Sequence, residues 1–238
     1  MSDHITYYND IVQGTTEWLT LKLGVLSAST LKNVITAKTL KLSKAASNRL
    51  FYDEILSQRI DGTVQDSFMS YDMQRGHEDE PYAVAAYEGA TGHKVDHCGF
   101  IVNDSLGFPL GFSPDGLVGD DGFIEIKSRV PKYQIKTILD HIAGRTDELM
   151  PSEFAMQPQC GFFVTGRKWC DFISFCNGLP MVIIRVFPNE EMQLAIHDAA
   201  IAFEQTLQEN MEKYKAALAH DPRLIPTERR EIETEMVI

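Results

Sequence analysis

The sequence predicts a mixed α/β (α+β) fold, a central mixed sheet flanked by helices, on three observations. Segments of β-type alternation bounded by turn residues cluster between residues 94 and 187. Two strong hairpin signals fall among them, Gly119-Asp120-Asp121-Gly122 and Asn177-Gly178. Helical spacing of apolar residues occupies the flanks, most clearly from Asn189 to Ala219.

Taken in order, Met1 to Gly24 reads as a lead-in anchored by Trp18, Leu19, Leu21 and Leu23. Ser27-Ala28-Ser29 precedes a short helical segment ending near Ile35, and Thr36 to Ser43 is polar and basic. Lys44 to Ile60 predicts a helix with Leu50, Phe51, Ile55 and Leu56 on its apolar side. Ser67 to Tyr87 predicts another, interrupted or entered near Pro81. Three strands follow, over Lys94–Asp104, Pro109–Val118 and Gly122–Arg129, then helices over Pro131–Ala143 and Ser152–Val164. Lys168–Asn177 and Pro180–Phe187 form a second hairpin. In the last helix Ile196, Ala200, Phe203, Leu207, Met211, Tyr214 and Leu218 recur at spacings of three and four, an apolar stripe for packing on the sheet or on another subunit. One domain over residues 1–219, including the helix 189–219, and a peripheral tail over 220–238 are expected.

Composition narrows the function classes. The chain has 238 residues, 44% of them hydrophobic, which suffices for a sizeable core. A net charge of -12 argues against a generally basic nucleic-acid coat, but leaves room for local phosphate contacts. The four cysteines, Cys98, Cys160, Cys170 and Cys176, form no C-x-x-C pair and read as reduced, mostly buried thiols. His93, His97 and Cys98 do not align as zinc ligands on an expected strand. No apolar run spans a bilayer, and the start MSDHITYYND lacks a basic or apolar leader, so the expected compartment is the cytoplasm.

The stretch GFSPDGLVGDDGFIEIKSR, Gly111 to Arg129, carries the chemistry. Residues two apart on a strand share a face, so Glu125 and Lys127 point one way and Ile124 and Ile126 the other. An acid, a second acid and a lysine brought together across a hairpin is the layout of a metal-dependent phosphodiesterase. A charged pair on an apolar strand is costly to bury unless a partner such as a metal ion offsets it. A two-residue turn at Asp120-Asp121 would set Asp115 opposite Ile126, one residue out of phase with Glu125. A bulge or bend near Pro114 and Gly116 is expected to repair this. In Arg75-Gly76-His77-Glu78-Asp79-Glu80, a solvated helix start accounts for Glu78 and Asp79. Glu80 precedes what reads as a buried segment, Pro81 to Tyr87, and is expected to point inward.

These blocks, taken together, resemble the bacteriophage lambda exonuclease family of the PD-(D/E)XK nuclease superfamily. The resemblance runs roughly from Trp18 to Phe187. It rests on Leu21-Lys22-Leu23-Gly24-Val25-Leu26-Ser27-Ala28-Ser29, the Gly76–Glu80 block, Ser113-Pro114-Asp115-Gly116, Glu125-Ile126-Lys127 and Gln157-Pro158-Gln159, in that order. It implies a PD-(D/E)XK (restriction-endonuclease-like) core. Asp115, Glu125 and Glu80 would bind metal together with the Ile126 backbone carbonyl, and Lys127 would position or deprotonate the attacking water. Lys22, Ser29, Ser113 and Gln157 would bind the 5′-phosphate. The family's best-known member has arginine where Lys22 stands, and lysine offers a point charge rather than a planar fork. Oxygen ligands favour two Mg²⁺ ions, with Mn²⁺ as a substitute; ions beside Lys127 would depress its pKa unless it serves as a charge on the scissile phosphate. The resemblance further implies linear double-stranded DNA as substrate, digested from the 5′ strand to mononucleotides. It also implies a homotrimer ring and a single-strand annealing protein as partner in phage-type recombination. Two alternatives stay open: a sequence- or structure-specific endonuclease on the same core, and an inactive DNA-binding module. An iron–sulfur nuclease is disfavoured by the scattered cysteines.

Overall fold

The computed structural model describes residues 3–36, 38–43, 46–63, 70–144 and 150–229, with the side chains of 46–51 outside that description. The elements in chain order begin with β1 (Ile5–Tyr8), α1 (Thr16–Lys22), β2 (Leu26–Ser27), β3 (Ile35–Thr36), β4 (Lys41–Leu42) and α2 (Ala46–Asp61). Next come α3 (Tyr71–Thr91), β5 (Phe100–Asn103), β6 (Leu110–Phe112), β7 (Gly116–Val118) and β8 (Gly122–Ser128). The chain continues with α4 (Pro131–Ile142), α5 (Met156–Thr165), β9 (Trp169–Phe175), β10 (Val182–Val186) and α6 (Glu190–His220). Single 3-10 turns at Leu31–Asn33 and Ser152–Phe154 precede β3 and α5.

The strands form two four-stranded sheets, β1-β5-β6-β2 and β10-β9-β8-β7, and a small β3-β4 ladder. The second sheet is mixed: β8 runs parallel to β9 and antiparallel to β7, and β9 is antiparallel to β10. The expected strand Pro109–Val118 is two strands, one in each sheet. Pro114 cannot donate to a ladder, so the chain leaves the first sheet at Ser113 and enters the second at Gly116.

The alternation on β8 sorts its side chains. Ile124 and Ile126 pack with Ile173, Val118 and the Ala83–Tyr87 face of α3. Phe123 turns the other way into the main core with Phe112, Phe162, Cys160 and Cys170. Helix α3 starts at Tyr71 with Ser70 as its N-cap; the expected beginning at Ser67 lies outside the described residues. It runs through Pro81 without interruption, and that residue sits on the exposed side. The segment after Pro81 is buried only at Ala83 and Tyr87, one helical turn apart, while Tyr82 is exposed, so the expected buried segment is a single helical face.

The N-terminal part holds more structure than a lead-in. Strand β1 pairs with β5, and Trp18 on α1 donates from Nε1 to the Gly99 carbonyl (3.1 Å) and to Ser113 Oγ (3.0 Å). The polar stretch after Ile35 closes as β3-β4. Helix α2 places Ile55 in the core; Leu50 and Phe51, expected beside it, lie outside the described side chains. Its Arg59 makes a two-pronged bond to Glu204 of α6 (2.7 and 2.8 Å) and donates to the Gly24 carbonyl (2.7 Å). Helix α6 buries Ile196, Ala199, Ala200, Phe203 and Leu207, but Tyr214 and Leu218 remain exposed. No helix among the described residues is long and apolar enough to cross a membrane.

Helix α5 approaches both sheets closely at Gly161. A Cβ there would lie 2.9 Å from the rings of Phe112 and Phe123. Gly161→Ala is therefore expected to destabilise the protein by about 1–3 kcal/mol through overpacking, read as a lower midpoint in chemical denaturation at unchanged slope.

Candidate active site

The hairpin β7–β8 sets the first relation. Gly116 faces Ile124, Leu117 faces Phe123 and Val118 faces Gly122, leaving Gly119, Asp120 and Asp121 as the loop, with Gly119 at φ +51°. The turn thus has three residues rather than the expected two. Continued by one position, this register sets Asp115 opposite Glu125, so the phase mismatch disappears at the turn. The bend expected near Pro114 is also present, at Asp115, and β7 begins only at Gly116.

The end of β7 leaves the β8 edge without a strand partner beyond Ile124. Asp115 takes its place: Oδ2 accepts from the Ile126 N–H at 2.5 Å. The N–H and C=O of one strand residue point to the same edge, so the Ile126 carbonyl also points toward the Asp115 side. Lys127 forms an ion pair with Glu125. Glu125 is fully buried, and its Oε2 has no hydrogen-bond partner among the described residues.

Helix α3 brings the third acid. Met73, His77 and Glu80, four and three residues apart, share one helical face and line a cleft of about 180 Å³ with Gly76, Asp115, Ile126 and Ser128. Asp79 is not the solvated acid expected from sequence. It is buried and accepts from Ser128 Oγ (2.6 Å), while Arg75 donates to the same hydroxyl (2.9 Å). These bonds fix α3 against the end of β8 and so fix Glu80. No local pattern announces them, because their shared partner, Ser128, lies 49 residues from Asp79 and 53 from Arg75. His77 was likewise not singled out; its spacing from Glu80 was the available signal.

Electrostatics shows that these acids are strained neighbours. Burial, then the Asp115 charge, pushes Glu80 up to about 7 against the pull of Lys127. Burial pushes Glu125 up to about 8; Lys127 opposes this, and Asp115 and Glu80 add to it. Asp115 is also raised, chiefly by burial. Burial acts against the charge on Lys127, but Glu125 and then Asp115 outweigh it, so Lys127 sits above the usual lysine value rather than below. The depressed value considered from sequence would require cations that neutralise those carboxylates.

The residues fit a metal of hard, oxygen-seeking character: three carboxylates that burial destabilises, a buried carboxylate oxygen without a partner, and a carbonyl on the same edge. Among the described residues no three His, Cys, Asp or Glu side chains already close into a cage. Lys127 and the Ile126 N–H each engage one oxygen of Glu125 and Asp115.

The four expected phosphate-binding residues fall into two pairs. Ser29 and Gln157 line a cleft of about 110 Å³ with Ala28, Lys32, Lys127, Glu153 and Phe154. Lys32 was missed from sequence, although it lies three residues after Ser29. Ser29 is held out by the turn in which Thr30 Oγ1 donates to the Ser27 carbonyl (2.9 Å). Lys22 and Ser113 are joined instead through Trp18, whose ring lies 3.9 Å from Lys22 Nζ and whose Nε1 holds Ser113. Burial pushes Lys22 down to about 8, with no carboxylate contributing.

A family model described as YqaJ-like viral recombinase domain matches residues 17–168. Two solved structures of an alkaline exonuclease, LHK-Exo, from Laribacter hongkongensis are similar over 86% of this chain and 98% of theirs. One is 34% identical; the other, solved in complex with dAMP, is 35% identical, and both have a TM-score of 0.73. A phage related exonuclease from Haemophilus somnus 129PT is 11% identical with a TM-score of 0.58, over 80% of this chain and 96% of the other, a likeness of fold. No match was found among curated proteins.

Proposed function

This chain belongs to the family of YqaJ-like viral recombinase domains, and on that premise we propose that it is a metal-dependent 5′-to-3′ exodeoxyribonuclease. It digests one strand of linear double-stranded DNA to mononucleotides and leaves a 3′ single strand for recombination. The observation that carries the reading is the convergence of Asp115, Glu125, Glu80 and Lys127 at the broken edge of β8. The dAMP complex of the related exonuclease supports a mononucleotide product.

Asp115, Glu125 and Glu80, with the Ile126 carbonyl, would hold two Mg²⁺ ions, for which Mn²⁺ can substitute. When bound, the ions lower the pKa of a water and stabilise the leaving oxygen of an in-line displacement. Lys127, charged and on the same face as Glu125, steadies the scissile phosphate or the attacking water. Asp79, Arg75 and Ser128 keep Glu80 in reach. Lys22, Ser29, Ser113 and Gln157 receive the 5′-phosphate, and the desolvated charge of Lys22 is suited to an anion. The reading extends to a ring of three copies around DNA and to a single-strand annealing protein as partner. The exposed apolar residues Ile135, Leu139 and Ile142 on α4 support an assembly.

Metal binding should be strongly pH-dependent. Carboxyls held at about 7 and about 8 bind protons that metal must displace. Their folded values lie above the ordinary 4.5, so in metal-free protein they withdraw stability as pH climbs from there toward 8. Apparent Mg²⁺ affinity is expected to rise between about pH 6 and about pH 9 with proton release on binding, measured by calorimetry in buffers of different ionisation heat. A flat profile would contradict the assignment. Lys22→Ala is expected to reduce the preference for 5′-phosphorylated over 5′-hydroxyl ends by about tenfold or more, read from initial rates on the two duplexes. Equal losses on both ends would remove Lys22 from the phosphate pocket.

A further inference from the structure

Beyond the metal cleft and the pocket of Ser29 and Gln157, a third cavity of about 550 Å³ opens where β8 passes into α4. Its lining includes Arg129, Tyr133, Lys38, Lys136 and Glu153. Arg129 continues the strand: its N–H bonds the Phe175 carbonyl at 2.7 Å. It therefore follows Lys127 by one side-chain repeat on the same face, about 6.7 Å along the strand, which is comparable with the step between successive phosphates of a nucleic-acid strand. Phe154 bridges the two residues, with its ring 5.6 Å from Lys127 Nζ and 5.0 Å from the Arg129 guanidinium. Arg129 also meets the Tyr133 ring at 5.2 Å.

Among the described residues the Arg129 guanidinium is only partly satisfied. Its side chain is 10% exposed, yet Nε is buried without a hydrogen-bond partner among the described residues. Its ion-pair partner among the described residues is Glu153, whose carboxylate oxygen is 3.9 Å from Nη1, beyond hydrogen-bond reach. A guanidinium beside aromatic rings with an unpartnered N–H donor is suited to a phosphate, whose oxygens match its planar fork. The half-exposed Tyr133 ring adds a surface on which a base can stack. In a chain of net charge -12, a groove whose cations Lys38, Arg129 and Lys136 outnumber its acids Asp140 and Glu153 is a local exception.

We propose that Arg129 binds a backbone phosphate of the strand being digested, adjacent to the phosphate at Lys127, and that Phe154 and Tyr133 hold it in that position. The inference rests on the exonuclease reading and adds a contact that sets register and affinity rather than chemistry. Lys136 and Lys38 extend the groove away from the reacting centre, although Lys136 also meets Asp140 at 2.5 Å.

The test uses the full chain, unsubstituted and as Arg129→Ala and Arg129→Lys, with linear duplex carrying a 5′-phosphate. Duplex binding is followed by fluorescence anisotropy, with Ca²⁺ in place of Mg²⁺, across a salt series. A set of duplexes carries one neutral methylphosphonate linkage at successive positions of either strand. Arg129→Ala should weaken binding roughly tenfold or more and lower the salt slope by about one. It should raise KM while leaving kcat nearly unchanged, and Arg129→Lys should restore the slope. One linkage in the phosphorylated strand should weaken the unsubstituted protein but not Arg129→Ala. An unchanged slope, equal linkage effects on both proteins, or a response confined to the complementary strand would overturn the proposal while leaving the exonuclease reading standing. Loss of binding that merely tracks a lowered Tm would also overturn it. Failure of the unsubstituted chain to cut duplex DNA would overturn both.

Discussion

Lys127→Ala is expected to reduce phosphodiester cleavage by at least about 10³-fold while Mg²⁺ and duplex binding persist. The lysine is the cation paired with fully buried Glu125, so its removal acts on the fold as well. Breaking one side of a buried pair costs about 3–5 kcal/mol. Here protonation of Glu125, already favoured up to about 8, relieves much of that cost at lower pH. The metal-free variant should therefore melt near the parent at pH 6 and below it at pH 9, and Mg²⁺ should narrow the difference. Single-turnover digestion together with melting curves separates the two effects. Cleavage at the parental rate would remove Lys127 from the chemistry.

Asp115→Asn is expected to abolish detectable turnover, again by about 10³-fold or more, for a different reason. Asparagine keeps an oxygen that can accept the Ile126 N–H, so the broken edge of β8 stays covered. It removes a carboxylate whose charge burial disfavours and which raises both Glu80 and Glu125. The metal-free variant should melt no lower than the parent at alkaline pH. The stabilisation that Mg²⁺ gives the parent should vanish, because an ion that binds only the folded state stabilises it by an amount that grows with the logarithm of its concentration over Kd, and nothing is gained where binding is lost. A variant that still gains Tm with Mg²⁺ and still cuts DNA would show that Asp115 is not a ligand.

Much of this site could be read from short-range patterns. Glu125 and Lys127 share a face because strands alternate, and the Gly-Asp-Asp-Gly turn announced the hairpin. The turn length was misjudged because Gly119 takes a positive φ and enters the loop, a choice that composition alone does not dictate. The break between β6 and β7 was legible at Pro114; the fact that it separates two sheets was not, since that depends on pairing with β5 and β8. Asp79 was misread for a related reason. An acid on a helix looks solvated until the residue that meets it is known, and Ser128 lies far along the chain. Strand β1 and the anchoring of Trp18 on Gly99 and Ser113 were hidden in what looked like a lead-in, because their partners are about a hundred residues distant. Local geometry thus carried the Glu125–Lys127 pair, and long-range pairing decided what surrounds it.

The account's central claim is tested most directly by digesting linear duplex DNA that carries a 5′-phosphate on one strand only. The reaction is run with Mg²⁺ and with chelator, beside a closed circular control. Metal-dependent loss of the phosphorylated strand as mononucleotides, with the circle intact, is the predicted result. Cutting of the circle would indicate an endonuclease on the same core, and no cutting with either Mg²⁺ or Mn²⁺ would contradict a nuclease altogether.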